Sequence, residues 1–222
     1  MFEFQFSYFT RGQFIDNAPV SISPIMMAFE NKFLPSYADE ISPHGLRKVI
    51  RIVGINEFDG VAVLFSSESV NINMLYRDYK PKEEEVFARL DFIINALSKI
   101  NSNIKVWRLA SIVTSVERVT YENSERMYSK FFADGAHNDF FEWNVRRAKK
   151  EQYESEVLNV VATISRGPVT NTINPTENFD AVIVQLDVNT APEKTTDRFN
   201  ISRDIIFHLT DKARKNLEHL LG

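Results

Sequence analysis

The chain opens on strict alternation. Phe2, Phe4, Phe6 and Tyr8 share one parity, and Glu3, Gln5 and Ser7 the other, the period-two signature of a half-buried strand. Residues 11–17 read as a loop. Ser23-Pro24 then reads as an N-cap followed by proline at the first helical position. Ile25, Met26, Phe29 and Phe33 share one helical face, and Pro35 is expected to end that helix. After a loop over 36–45, residues 46–56 and 61–66 read as two strands joined at Asp59-Gly60, a short-range hairpin signal. A third strand alternates Val70, Ile72, Met74 and Tyr76 with Asn71 and Asn73, so the asparagine face is expected to be wet. Pro81 opens a long helix over 82–100. Glu83, Glu84 and Glu85 suit its positive N-terminal end. Val86, Leu90, Ile93, Leu97 and Ile100 form its apolar stripe, widened by Phe87 and Ile94.

The same order then recurs. Residues 104–121 read as a strand that would span roughly 59 Å if fully extended, so a bend or bulge near Ser111 or Ser115 is expected. Both of its faces carry apolar residues, the pattern of a central, covered strand. A short helix over 123–132 carries Met127, Tyr128, Phe131 and Phe132, and 133–139 is a loop. Phe141, Trp143 and Val145 alternate with Glu142, Asn144 and Arg146, so 140–150 reads as a strand. A helix is the rival reading there, because Arg, Ala and Lys favour helices. Strands over 157–165 and 181–189 follow, separated by a polar connection containing Pro168 and Pro175. A loop over 190–200 leads to a final helix over 202–221, capped by Ser202, with Ile205, Ile206, Leu209, Ala213, Leu217 and Leu220 as its stripe. The expected fold is α+β: an antiparallel sheet with helices packed on one face. It forms a single domain of two β-α-β-β-β-α pseudo-repeats, 1–101 and 102–222.

Composition narrows the function classes. A chain of 222 residues can bury a substantial core. Its 7 glycines fall well short of the roughly 15 that average usage would give, leaving little material for phosphate-cradling loops. A formal net charge of −4 disfavours a dominant nucleic-acid role. The absence of cysteine excludes disulfides, thiolate metal sites and cysteine nucleophiles, and it fits a cytoplasmic protein. No apolar run approaches the roughly 20 residues of a membrane span. The N-terminus lacks the basic start and apolar stretch of a signal peptide. A soluble protein with no membrane partner is expected.

Candidate chemistry is sparse. His44, His137, His208 and His219 contain no i, i+4 pair. His208 and His219 share a helix face but lie roughly 16 Å apart, so no metal site and no cofactor are expected. His137 stands in Asp134-Gly135-Ala136-His137-Asn138-Asp139. Two carboxylates and an imidazole in one loop can hold a cation or exchange protons; a solvated turn bent by Asp-Gly is the plainer reading. Arg108 and Arg118 interrupt the even-numbered apolar face of the long strand. Buried arginines need partners. Ion pairs with Asp187 or Glu142 are the structural explanation, and bidentate capture of an anion in a cavity is the functional one. Asp187 itself reads as solvent-facing.

Arg108, Arg118 and His137 are therefore the candidate ligand-binding residues. The run Arg146-Arg147-Ala148-Lys149-Lys150 is the only dense basic stretch. On a strand it puts Arg147 and Lys149 on one face and Arg146 and Lys150 on the other. It can meet nucleic acid or an acidic protein, or guard a solvated edge strand. There is no Gly-x-Ser-x-Gly elbow, phosphate loop or dinucleotide fingerprint, and no residue is assigned a catalytic role. The Asn200-Ile201-Ser202 sequon matters only in a secreted protein.

The stretch from Ser69 to Tyr79 (SVNINMLYRDY), a helix, and then Val106-Trp107-Arg108-Leu109-Ala110-Ser111-Ile112 resembles a sporadically distributed, uncharacterised family of bacterial and phage proteins. The resemblance covers about half the chain, and the chain departs from it in lacking a Trp shortly after Tyr79. It implies a protein of this size ending in a strand, loop and amphipathic helix, and it brings no activity with it. The doubled order of elements is also similar to the saddle of the TATA-binding proteins, a likeness of fold only. The expected function is a non-enzymatic protein-interaction or self-associating module of bacterial or phage origin. The alternatives are a small anionic-ligand binder or hydrolase using Arg108 and Arg118, with His137 as a further candidate, and nucleic-acid binding through Arg146–Lys150.

Overall fold

The alternating N-terminal segment lies in the middle of the sheet, not at its edge. The computed structural model describes residues 1–42, 45–132, 140–170, 178–192, 197–199 and 202–221. Its strands are β1 (Phe2–Thr10), β2 (Phe33–Ser42), β3 (Gly45–Gly54), β4 (Val61–Phe65), β5 (Ser69–Tyr76), β6 (Val106–Arg118), β7 (Trp143–Tyr153), β8 (Glu156–Thr170) and β9 (Asn178–Thr190). The helices are α1 (Ile22–Ala28), α2 (Glu83–Ile100), α3 (Tyr121–Phe131) and α4 (Ser202–Leu221). All nine strands join one sheet in the order β2-β3-β4-β5-β1-β6-β9-β8-β7, and the neighbours pair antiparallel. The fold class is α+β, as expected.

Register assigns every side chain to a face. Phe6 lies opposite Ile72 and Ser111, Ser111 opposite Val188, and Val188 opposite Val160. The helices pack on this face. Thr210 of α4 shares a 3.0 Å hydrogen bond with Ser111. Phe92 of α2 meets Phe29, just beyond α1, which stacks edge-on against Phe33 of β2. Tyr128 of α3 packs against Trp143 of β7. The core is a single cluster running through these contacts, and its burial supplies most of what holds the layers together. Gln5, Asn73, Ile112 and Asp187 form a row on the opposite face. Among the described residues no helix packs there.

Several expectations are corrected. The first helix begins after a short 3-10 turn at Pro19–Ser21 and ends at Ala28. Phe33, expected on the helix, Pro35, expected to end it, and the start of the expected 36–45 loop belong to β2, so the first half has four strands after its helix and departs from β-α-β-β-β-α. Proline is tolerated because β2 is an edge strand. On β6 the pairing with β1 is regular from Ser115 to Arg108 and shifts only between Phe9 and Thr10. The irregularity therefore sits at the start of β6, not near Ser111 or Ser115, since long partners on both sides hold the middle in register. β6 is central but covered by helices on its odd-numbered face alone. β8 runs through Gly167 and Pro168, read as connection from sequence. β7 begins opposite Arg166, so Pro168 pairs with β9 only and its missing N–H costs no ladder bond. Residues 140–150 contribute to a strand, β7, and not to a helix.

Candidate functional site

The helix-free face is built from the odd residues of β1, β5 and β9 and the even residues of β6 and β7. Strand alternation places a row of carboxamides on it. Ser7 donates to Asn71 Oδ1 at 2.8 Å, and Asn71 Nδ2 donates to Ser69 at 2.9 Å. Gln185 Nε2 donates to Thr114 at 3.3 Å. Asn159 Nδ2 donates to Asn189 Oδ1 at 3.0 Å, and Asn189 Nδ2 to Asp187 Oδ1 at 2.9 Å. These bonds fix Asn71, Asn159, Gln185 and Asp187, which are half-buried, against the buried Ser7, Thr114 and Asn189. Asp187 is oriented by a neighbouring amide, and among the described residues it has no cationic partner.

Arg108 and Arg118 both project from this face. Neither forms an ion pair among the described residues, so the expected pairing with Asp187 or Glu142 does not occur. The Arg108 guanidinium lies 5.0 Å from the centre of the Phe9 ring, and that of Arg118 lies 4.4 Å from the Phe179 ring, both in cation–π range. Ten residues of extended strand separate them by about 33 Å. They cannot clamp one small ligand together. The Arg108 Nε is buried with no hydrogen-bond partner among the described residues.

Arg146 and Lys150 come instead to Arg108. Across β6, β9, β8 and β7 a shallow cleft of about 430 Å³ is lined by Arg108, Asn189, Asp187, Asn159, Arg146 and Lys150, among others. Arg147 and Lys149 point to the helix side, as the alternation predicts. Arg147 lies over the Phe131 ring at 5.0 Å, and Lys149 pairs with Glu151 at 2.7 Å. A second cleft of about 620 Å³ occupies the other half and mixes charges, with Glu3, Arg51, Asp59, Arg77, Asp78 and Arg89 at its walls. Tyr76 borders it, and burial pushes its hydroxyl up to about 12. His137, His44 and the Asn200 sequon lie outside the described residues.

Two arrangements escaped sequence reasoning. The Asn159–Asn189–Asp187 chain needed the β8–β9 register, although the polar parity of residues 185, 187 and 189 was the signal. The fully buried arginine is Arg198, paired with Glu156, and nothing periodic marks it. Among the described residues no group of three or more His, Asp or Glu side chains is placed to hold a metal ion. Among the described residues no helix is long and apolar enough to cross a membrane. What fold and site define together is an α+β protein with one face of its sheet covered by helices and the other left open and polar. No protein-family model matches the chain, and no curated protein matches it.

Proposed function

We propose that the protein is a non-enzymatic interaction module of bacterial or phage origin, working in the cytoplasm, that engages a protein partner or a second copy of itself through the open face. One observation carries this reading. All four described helices lie on one side of the sheet, and the other side offers fixed hydrogen-bonding amides rimmed by Arg51, Arg108, Arg118 and Arg146. A protein interface needs donors, acceptors and arginine at its edge as well as apolar area. The two halves are read as pseudo-repeats of one domain, 1–101 and 102–222, about a twofold axis between β1 and β6. The order β5-β1-β6-β9 around that axis supports this, as does the long helix that closes each half.

The test uses the whole chain as immobilised bait, comparing wild type, Gln5→Arg/Gln185→Arg on the open face, and Asp204→Arg on the outer side of α4. A partner, or soluble copies of the chain itself, retained by wild type and Asp204→Arg but lost from the open-face variant supports the proposal. Retention by none, or equally by all, rejects it.

A second reading is favoured by the convergence of Arg108, Arg146 and Lys150 on one cleft: an anionic group binds there, with Arg118 taking no part. A thermal-shift screen with phosphorylated metabolites tests it; shifts unchanged in Arg108→Ala reject it. Duplex or single-stranded nucleic acid is a third occupant, disfavoured by the net charge and removed by absence of binding at low salt.

A further inference from the structure

On the helix-covered face, a slot of about 310 Å³ opens between α4 and strands β7 and β8, at the small end of the range of ligand cavities. Val160, Ala162 and Leu186 form its floor and Leu220 a wall. Leu186 lies opposite Ala162, and Ala162 opposite Arg147, so floor and basic edge come from one face of the sheet.

The corresponding place in the other half of the sheet is filled. There Ile52, Val63 and Ile72 lie in register and are fully buried. Phe29, Phe33, Phe58 and Phe92 pack together beside them with ring centres 4.7 to 6.3 Å apart. The aromatic residues of the second half go elsewhere: Tyr128 and Phe132 stack on one another and meet Trp143, the first residue of β7, edge to face. The slot is the space that those rings leave.

Its chemistry is specific. Arg147 has no carboxylate partner among the described residues and is held over the Phe131 ring. Lys149 adds a second cation, shared with Glu151. Asn216 also lines the slot, and its Nδ2 is buried with no hydrogen-bond partner among the described residues. We infer that the slot binds a small amphipathic monocarboxylate. Its apolar body rests on Val160, Ala162 and Leu186, and its carboxylate faces Arg147. An uncharged ligand would leave Arg147 unused, and a polyanion would leave the apolar floor wet. The site lies on the opposite side of the sheet from the proposed interaction face, so either can fail without the other.

The test is a titration of the full chain with octanoate, with 3-phenylpropionate as a second carboxylate and 1-octanol as an uncharged control. Calorimetry and the methyl resonances of Leu186 and Leu220 follow it. Saturable one-to-one binding with shifts at both leucines is expected. Arg147→Gln should weaken octanoate about tenfold and leave octanol unchanged. Ala162→Phe, which fills the slot as phenylalanines fill the other half, should abolish both while circular dichroism stays native. Should Ala162→Phe fail to fold, Leu220→Trp serves the same purpose from the wall. No saturable binding of either carboxylate, methyl shifts elsewhere, or wild-type affinity in the folded slot-filled variant would overturn the assignment.

Discussion

Arg198 and Glu156 form a bidentate ion pair inside the protein. Arg198 Nε donates to Glu156 Oε1 at 3.0 Å and Nη2 to Oε2 at 2.9 Å, while Nη1 donates to the Trp107 carbonyl. Beside it, Asp197 Oδ1 accepts from the backbone of Val106 at 3.1 Å and of Phe199 at 3.0 Å. The segment before α4 is thereby locked to the start of β6 and of β8, next to Arg108. Burying both charges is tolerable because each is matched and hydrogen-bonded.

Removing one partner should therefore be costly. Arg198→Met leaves the Glu156 carboxylate buried and unpaired, and urea denaturation should show a loss of about 3–5 kcal/mol. The double variant Arg198→Met/Glu156→Leu should recover most of it. Equal losses in the single and double variants would show that packing, not charge, is the issue.

Gly60 turns the chain into β4 at φ +80°, and a Cβ there would lie 2.5 Å from the Leu75 carbonyl oxygen. Gly60→Ala should destabilise by more than about 1 kcal/mol. A midpoint unchanged in guanidinium would mean that the turn adopts another conformation.

The α3 helix starts on a capping box. Thr120 Oγ1 accepts from the backbone of Asn123 at 3.1 Å, and Asn123 Oδ1 from the backbone of Thr120 at 2.8 Å. Thr120→Ala should cost about 1 kcal/mol. Faster amide exchange confined to residues 121–125 is the local readout, and uniform acceleration across the sheet would contradict it.

His208 stacks on Tyr153 with ring centres 3.4 Å apart. Burial, then the Lys212 ammonium, hold its imidazole below the ordinary histidine value. The unfolded chain therefore binds the proton more readily. The stability this contributes is complete above the unfolded value near 6.5 and is lost as pH falls through the folded one. Between pH 7.5 and 5, wild type should lose more stability than His208→Gln in parallel denaturant titrations. Equal losses would exclude the effect.

Much of this architecture is legible in the residues. Phe2 to Tyr8, Val70 to Tyr76 and the two long helices announce themselves because burial on one side imposes a period. β2 does not. Pro35 looks like a helix stop and Asp39 and Glu40 like loop, and only the edge position makes them acceptable in a strand. The parity of Arg146 to Lys150 follows from alternation alone, but their meeting with Arg108 requires β9 and β8 to intervene in a given order. Arg198 sits in an aperiodic segment, forty-two residues after its partner, so no local pattern links the two.

The central claim, that the open face is the interaction surface, is most directly tested by photo-crosslinking in cells. A photoreactive residue replaces Gln185 on the open face or Asp204 on the outer side of α4. A discrete crosslinked species is expected from position 185 and none from 204. Crosslinks from 204 alone, or from neither position, would contradict it.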